Sequence, residues 1–246
     1  MKPRFLLLLL PILFCSCTRY FYAPNSHNVP GFREKGEARA TISALKGDEI
    51  EGVETQFAYS PVNHLGLMFN YANAKGGSGY TRGYGHQVEG GAGYFLPVAG
   101  KSVFEVYAGY GGGNVYSQYD SLQTYSHRFG KVFLQPSIGF TSDYFDALFS
   151  LRLGYLSLHV NESGNANSAY ALIEVENTPH SFLVEPGVTI RAGWKFIKVQ
   201  TQFGGSYNLT NPDFPQEKEL FSIGLYTSFT PRWMNGRSSR PARNGF

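Results

Sequence analysis

The 246-residue chain predicts an all-β fold: a closed antiparallel transmembrane β-barrel of about ten strands, behind a cleaved N-terminal signal. Three observations point there. Ten segments alternate apolar and polar residues with period two, the mark of strands lying between two different environments. The composition, with 29 Gly, 17 Tyr and 20 Phe but only 16% charged residues, favours strands over helices. The connections alternate between short turns and longer loops, as on the two rims of membrane-spanning barrels, where an even number of strands closes so that lipid meets no open edge.

The chain opens with Lys2 and Arg4 around an apolar run, Phe5 to Phe14. Ten residues are too few to cross a bilayer as a helix, but they suit a secretory signal ending at small Ser16. Phe14-Cys15-Ser16-Cys17 resembles a bacterial lipobox, which makes Cys17 the candidate lipidation site; Cys15 is the poorer acceptor because bulky Phe14 precedes it. No cysteine follows Cys17, so the mature domain has no internal disulfide and no thiol metal site. The expected division is a signal peptide over residues 1–16, a tether or plug over 17–33, a barrel over 34–231 and a basic flexible tail over 232–246. The stretch Arg19 to Phe32, rich in Tyr, Pro and Asn, has no periodicity and fits either a tether or a plug folded back into the lumen.

The strands follow in order. Ala38, Ala40, Ile42 and Ala44 alternate with Glu37, Arg39, Thr41 and Ser43, and Val53, Thr55, Phe57 and Tyr59 with Glu54, Gln56, Ala58 and Ser60. The pattern recurs from Leu65 to Ala72, Gln87 to Leu96, Phe104 to Gly111, Lys131 to Phe140, Asp146 to Tyr155, Val184 to Arg191, Ile197 to Phe203 and Phe221 to Phe229. Short turns are expected near Pro61–Asn63, Pro97–Lys101, Ser142–Tyr144 and Gly193–Lys195. Longer loops are expected near Lys75–Gly85, Tyr119–Arg128, Val160–Pro179 and Asn208–Glu219. The hairpin at Lys46–Ile50 is short where a long loop would fit the rule. Pro136 and Pro186 interrupt two strands running the same way, and because proline cannot donate to the ladder each is expected to mark a bulge.

The inward set holds Glu37, Glu54, Glu89, Glu105, Asp146 and Glu185 against Arg39, Lys131, Arg152, Arg191 and Lys198. Isolated buried ions cost several kcal/mol, so this near-balance predicts a lumen filled by a salt-bridge and hydrogen-bond network, with no wide pore. Solvated strand faces are the plainer alternative. Aromatics near strand ends, namely Tyr59, Tyr71, Tyr94, Phe95, Tyr110, Phe140, Tyr144, Tyr155, Trp194, Phe196, Phe229 and Trp233, suggest two interfacial girdles.

The segment Tyr22-Ala23-Pro24-Asn25, Asn28-Val29-Pro30-Gly31-Phe32 and Lys35-Gly36-Glu37, followed by Gln56-Phe57-Ala58-Tyr59-Ser60-Pro61 and His64-Leu65-Gly66, resembles uncharacterised outer-membrane β-barrel proteins of the Bacteroidetes type, broadly OmpA- or OmpW-like. The resemblance implies a barrel in the bacterial outer membrane and brings no catalytic residues.

Other candidate chemistry is thin. His127 beside Ser126, His159 with Ser157 and Ser163, and His64, His86 and His180 are the possible bases, but no Gly-x-Ser-x-Gly elbow accompanies them. Gly76-Gly77-Ser78-Gly79 and the glycines from Gly109 to Gly113 open no helix after a parallel strand, which removes a nucleotide cradle. Asp213, Glu217 and Glu219 lack fixed metal-ligand spacing. Arg237, Arg240 and Arg243 lie scattered in the tail without a basic face, and the net charge is only +3, so nucleic acid is not an expected partner. The expectation is a monomeric, non-enzymatic barrel without cofactor, both termini in the periplasm. Its partners would be outer-membrane lipid and an extracellular ligand or envelope protein at the long loops. It would serve as a structural or surface-interaction protein, or as a narrow conduit for small solutes. The principal rival is a soluble, lipid-anchored β-sandwich envelope protein, and behind it stands an outer-membrane hydrolase.

Overall fold

The computed structural model describes residues 21–77, 82–98, 100–120, 123–164 and 179–229. The signal, Cys17, the tail and Trp233 lie outside them. The strands are β1 (Ala38–Lys46), β2 (Ile50–Val62), β3 (Leu65–Gly76), β4 (Arg82–Pro97), β5 (Ser102–Asp120), β6 (Gln123–Thr141), β7 (Phe145–Gly164), β8 (His180–Gly193), β9 (Ile197–Gly205), a two-residue β10 (Tyr207–Asn208) and β11 (Glu219–Phe229). Consecutive strands from β1 to β9 pair antiparallel, β11 bridges β9 and β1, and the β8–β9 pairing closes the sheet on itself. Because β10 continues the register of β9 against β8 across Ser206, the wall is ten strands round.

The faces decide what surrounds it. Outward Phe69, Leu134, Ile138, Phe149 and Leu225 are 45–57% exposed, whereas inward Glu105, Lys131, Arg152 and Glu185 are at 0%. A soluble sandwich buries its apolar faces between two sheets. Here a single closed sheet turns them out, which is the arrangement acyl chains solvate. Tyr94, Phe140, Tyr144, Trp194, Phe196 and Phe229 gather outward near one rim, and Tyr71, Tyr110 and Tyr155 face outward further along the wall. Phe95 is not part of a girdle: it points into the lumen at 1% exposure and packs on Phe32.

One rim carries the turns at 63–64, 98–101, 142–144 and 194–196 together with the start of β1 and the end of β11. The other carries the connections at 47–49, 77–81, 121–122, 165–179 and 209–218. The long loop expected over Tyr119–Arg128 is mostly strand, since β5 and β6 pair up to Asp120 and Gln123. These strands and β7 run 19, 19 and 20 residues, well beyond the roughly 9–11 that cross a membrane. Above the lipid both faces meet water, so backbone pairing continues after the alternation that reveals it has lapsed.

The prolines are not bulges. Leu134 pairs with Leu153 and Ser137 with Ser150, so Pro136 stands opposite Leu151 without a change of register, and Pro186 pairs with the same Leu151 from the other side. Each proline interrupts pairing on one flank only, Pro136 beside β7 and Pro186 opposite Gly205 at the end of β9. The register shifts occur instead at Tyr59/Val62, Gln118/Asp120 and Ser126/His127.

The two described ends do not share a side. Phe229 ends β11 at the short-turn rim. Phe21 sits at the opposite rim, where its N–H donates to Pro215 O (2.9 Å) and Tyr22 bridges Gln216. Between them, residues 22–33 thread the lumen from rim to rim before a turn at 34–36 leads into β1. Residues 21 and 229 therefore lie at opposite rims, not at one rim as two periplasmic termini would place them.

Candidate functional site

The lumen is occupied by this extended segment, and the reason is legible in its backbone. An extended chain away from any sheet must find partners for each buried N–H and C=O. Pro24 and Pro30 remove two donors from that demand, and inward side chains meet much of the rest. Ser26 N–H donates to Glu54 (3.1 Å) and Ser26 O accepts from Gln56 (3.0 Å). His27 N–H donates to Gln202 Oε1, and Gln202 Nε2 returns a bond to His27 O (3.0 Å). Asn28 O accepts from Gln135 (2.8 Å), Val29 O from Arg191 (2.6 Å), and Gly31 and Phe32 N–H both donate to Glu105 (3.1 and 2.9 Å). Ten residue steps from Tyr22 to Phe32 reach about 33 Å, enough to cross the barrel once.

At mid-lumen four charges from four strands converge on the plug. Lys131 Nζ lies 2.9 Å from Glu89 and 3.6 Å from Glu185; Arg152 Nη1 lies 3.4 and 3.9 Å from the same two acids. The plug completes the group. Tyr22 Oη donates to Glu185 (2.9 Å) and accepts from Lys131 (2.8 Å), while Asn25 donates to Glu89 (2.8 Å) and accepts from Arg152 (2.9 Å). Asn70 adds a second bond to Glu89 (3.1 Å), and the Arg152 guanidinium lies over Phe133. With two acids against two bases, the cluster is neutral as a unit.

Towards the short-turn rim a second set forms. Asp146 meets Lys198 at 2.7 Å and Arg191 at 3.9 Å; Arg191 also donates to Gln200 (2.7 Å) and lies 4.1 Å over the Tyr226 ring. Glu37 pairs with Arg39 at 2.7 Å and accepts from Arg33 N–H (2.7 Å). All eleven charged residues named from the sequence thus face inward and are buried. Glu54 and Glu105 differ in detail, because they meet plug N–H groups instead of cations.

Packing seals both ends of the plug. Phe21 and Tyr22 join Phe129, Leu156, Leu158, Leu183 and Phe214 at one rim, and Phe32 joins Met68, Phe95, Tyr107 and Phe133 nearer the other. Gly66 and Gly93 leave room for Tyr107: a Cβ on either would lie 2.3 or 2.5 Å from that side chain. Beside the plug a small cavity lined by Pro24, Asn25, Ser26, His27, Gln202, Gly204, Gly205 and Leu220 has room for about one water.

The plug residues Tyr22, Asn25, Ser26, His27 and Asn28 are the functional set that period-two reading misses. Their signal is a polar stretch with two prolines and no periodicity, as long as the lumen it must cross.

The candidate bases scatter. His127 is buried and its Nε2 donates to Phe21 O (2.7 Å), bonding the plug to β6. His159 lies exposed on the outer face of β7, and His180 stacks outward on Tyr155. His64 occupies a tight turn at φ 66° with Nδ1 3.0 Å from Phe95 O, and His86 is exposed beside Asn114. Of the loop acids, Glu217 turns inward to accept from Glu49 N–H (3.4 Å), while Asp213 and Glu219 are exposed.

No protein-family model matches the chain, and no curated protein matches it. Among solved structures it is similar to the N-terminal β-barrel domain of Pseudomonas aeruginosa OprF, at 10% identity over 80% of this chain and 100% of that one, with a TM-score of 0.37. It is similar too to the Escherichia coli outer-membrane protease OmpT, at 10% identity over 79% and 94% of the two chains and a TM-score of 0.40. The transport unit of the Escherichia coli autotransporter AIDA-I matches at 10% identity over 84% and 93%, with a TM-score of 0.39. Likenesses this distant carry no argument about what the protein does.

Proposed function

We propose that this is a small, monomeric, non-enzymatic outer-membrane barrel, closed by its own N-terminal segment, that serves as a structural or surface-interaction protein and not as a conduit. The observation that carries the reading is the plug: both acids and both bases at mid-lumen bond Tyr22 or Asn25 or a partner that does. Outer-membrane lipid is the partner of the apolar wall. The rim bearing the 165–179 and 209–218 connections faces outward, following the rule that longer loops are extracellular, and offers the contact surface for an extracellular ligand or envelope protein. Cys17 is the site of a lipid anchor.

Planar-bilayer recording tests it. The full chain gives no resolved current steps, and deletion of residues 21–32, checked for folding by heat-modifiable gel migration, opens a conductance. Steady current through the unaltered protein would overturn the closed reading in favour of a narrow conduit.

A further inference from the structure

We infer that the chain crosses the outer membrane inside its own barrel, so that the N-terminal side of Phe21 is displayed at the cell surface; the inference rests on the orientation proposed above. The segment is fastened at both rims. At the long-loop rim Phe21 N–H donates to Pro215 O (2.9 Å), Glu217 N–H donates to Tyr22 O (3.0 Å), and the Phe21 ring packs against Phe214 and His127. At the short-turn rim Arg33 Nη2 donates to Gly100 O (2.7 Å) and Gly36 N–H to Ser60 O (2.6 Å). Direction is fixed by these contacts: residue 21 lies beside the 209–218 connection and residue 33 beside the 98–101 turn.

Chain length carries the argument on to Cys17. Four residue steps separate it from Phe21 and reach at most about 14 Å, against an apolar band roughly 25 Å tall. From the outer rim Cys17 cannot return to the periplasmic leaflet. Acyl chains attached to it belong to the outer leaflet, and the lipid then holds the plug from the side opposite the short turns.

Cysteine labelling on whole cells with a membrane-impermeant maleimide separates the possibilities. Single cysteines at Thr18, Asp213 and Asp143 are compared in the full chain, with Cys17 retained and with Cys17→Ser, each checked for the folded band; Arg19→Cys serves as a second N-terminal probe. The expected result is labelling of Thr18→Cys and Arg19→Cys on intact cells to the level of Asp213→Cys, with Asp143→Cys reacting only after permeabilisation. If Asp213→Cys labels and Asp143→Cys does not, while the N-terminal probes stay protected, the orientation stands and this inference falls. If Asp143→Cys labels on intact cells and Asp213→Cys does not, the orientation falls and takes the inference with it.

Discussion

Replacing Glu89 by Gln probes whether the lumen is dry. In the native barrel its carboxylate meets Lys131 at 2.9 Å and Arg152 at 3.4 Å on one oxygen, and accepts from Asn25 (2.8 Å) and Asn70 (3.1 Å) on the other. A glutamine amide turned toward the two asparagine amides sets donor against donor, and Glu185, at 3.6 and 3.9 Å, is left as the one carboxylate beside the two cations. Removing one partner of a buried ion group costs about 3–5 kcal/mol. The middle of that range is roughly three powers of ten in the unfolding equilibrium, at about 1.4 kcal/mol per tenfold. Adding Lys131→Met removes the surplus cation, so the double variant recovers about 1–3 kcal/mol of the loss, the coupling expected of contacting charges. Urea titration in phospholipid vesicles, read by loss of the folded gel band and by Trp fluorescence, measures both. A cost below about 1 kcal/mol for Glu89→Gln, with no recovery in the double variant, would mean that water hydrates these charges and that the lumen is not filled.

Two further perturbations address the wall and the rim. Leu134→Arg places a charge on the lipid face amid outward Ala108 and Leu153 and costs about 2–4 kcal/mol in the same titration; an effect near zero would contradict the lipid-facing assignment. At the rim, burial pushes the Glu217 carboxyl up, with backbone N–H groups at 48, 49 and 219 pulling the other way and Asp48 adding to the rise. A carboxyl raised on folding contributes stability that is fully present below its unfolded pKa and is lost as pH rises through the folded value. Protection of the Glu217 amide, which donates to Tyr22 O, is therefore greater at pH 5 than at pH 7, and Glu217→Gln flattens the difference. Hydrogen exchange reads it, and an identical pH response in the variant would refute the assignment.

The wall was legible because lipid and lumen impose opposite demands on successive residues. Leu134 and Gln135 or Leu151 and Arg152 could not exchange places without leaving an unpaired amide or a bare charge in hydrocarbon. That logic lapses where both faces meet water, so the extension of β5 and β6 to Asp120 and Gln123 was hidden among polar residues. Prolines misled for a related reason. Breaking the ladder on one flank does not require an extra residue, and Pro136 and Pro186 keep register on either side of Leu151. The charged lumen residues could be named from alternation, but not their partners: Glu54 and Glu105 read as halves of ion pairs, whereas they receive the N–H groups of Ser26, Gly31 and Phe32. The plug has no period of its own, because its partners come from all round the barrel and set no repeat along the chain.

The threading of residues 22–33 through the lumen is tested most directly by a disulfide. Ser26 Oγ and Ser222 Oγ lie 3.0 Å apart, one on the plug and one on β11, so sulfurs in their places need only a small adjustment to bond. In a Cys17→Ser background, Ser26→Cys with Ser222→Cys is predicted to oxidise to completion in the folded barrel, with altered migration that reverts on reduction. Two free thiols in a folded barrel, the one at residue 26 open to maleimide, would contradict it.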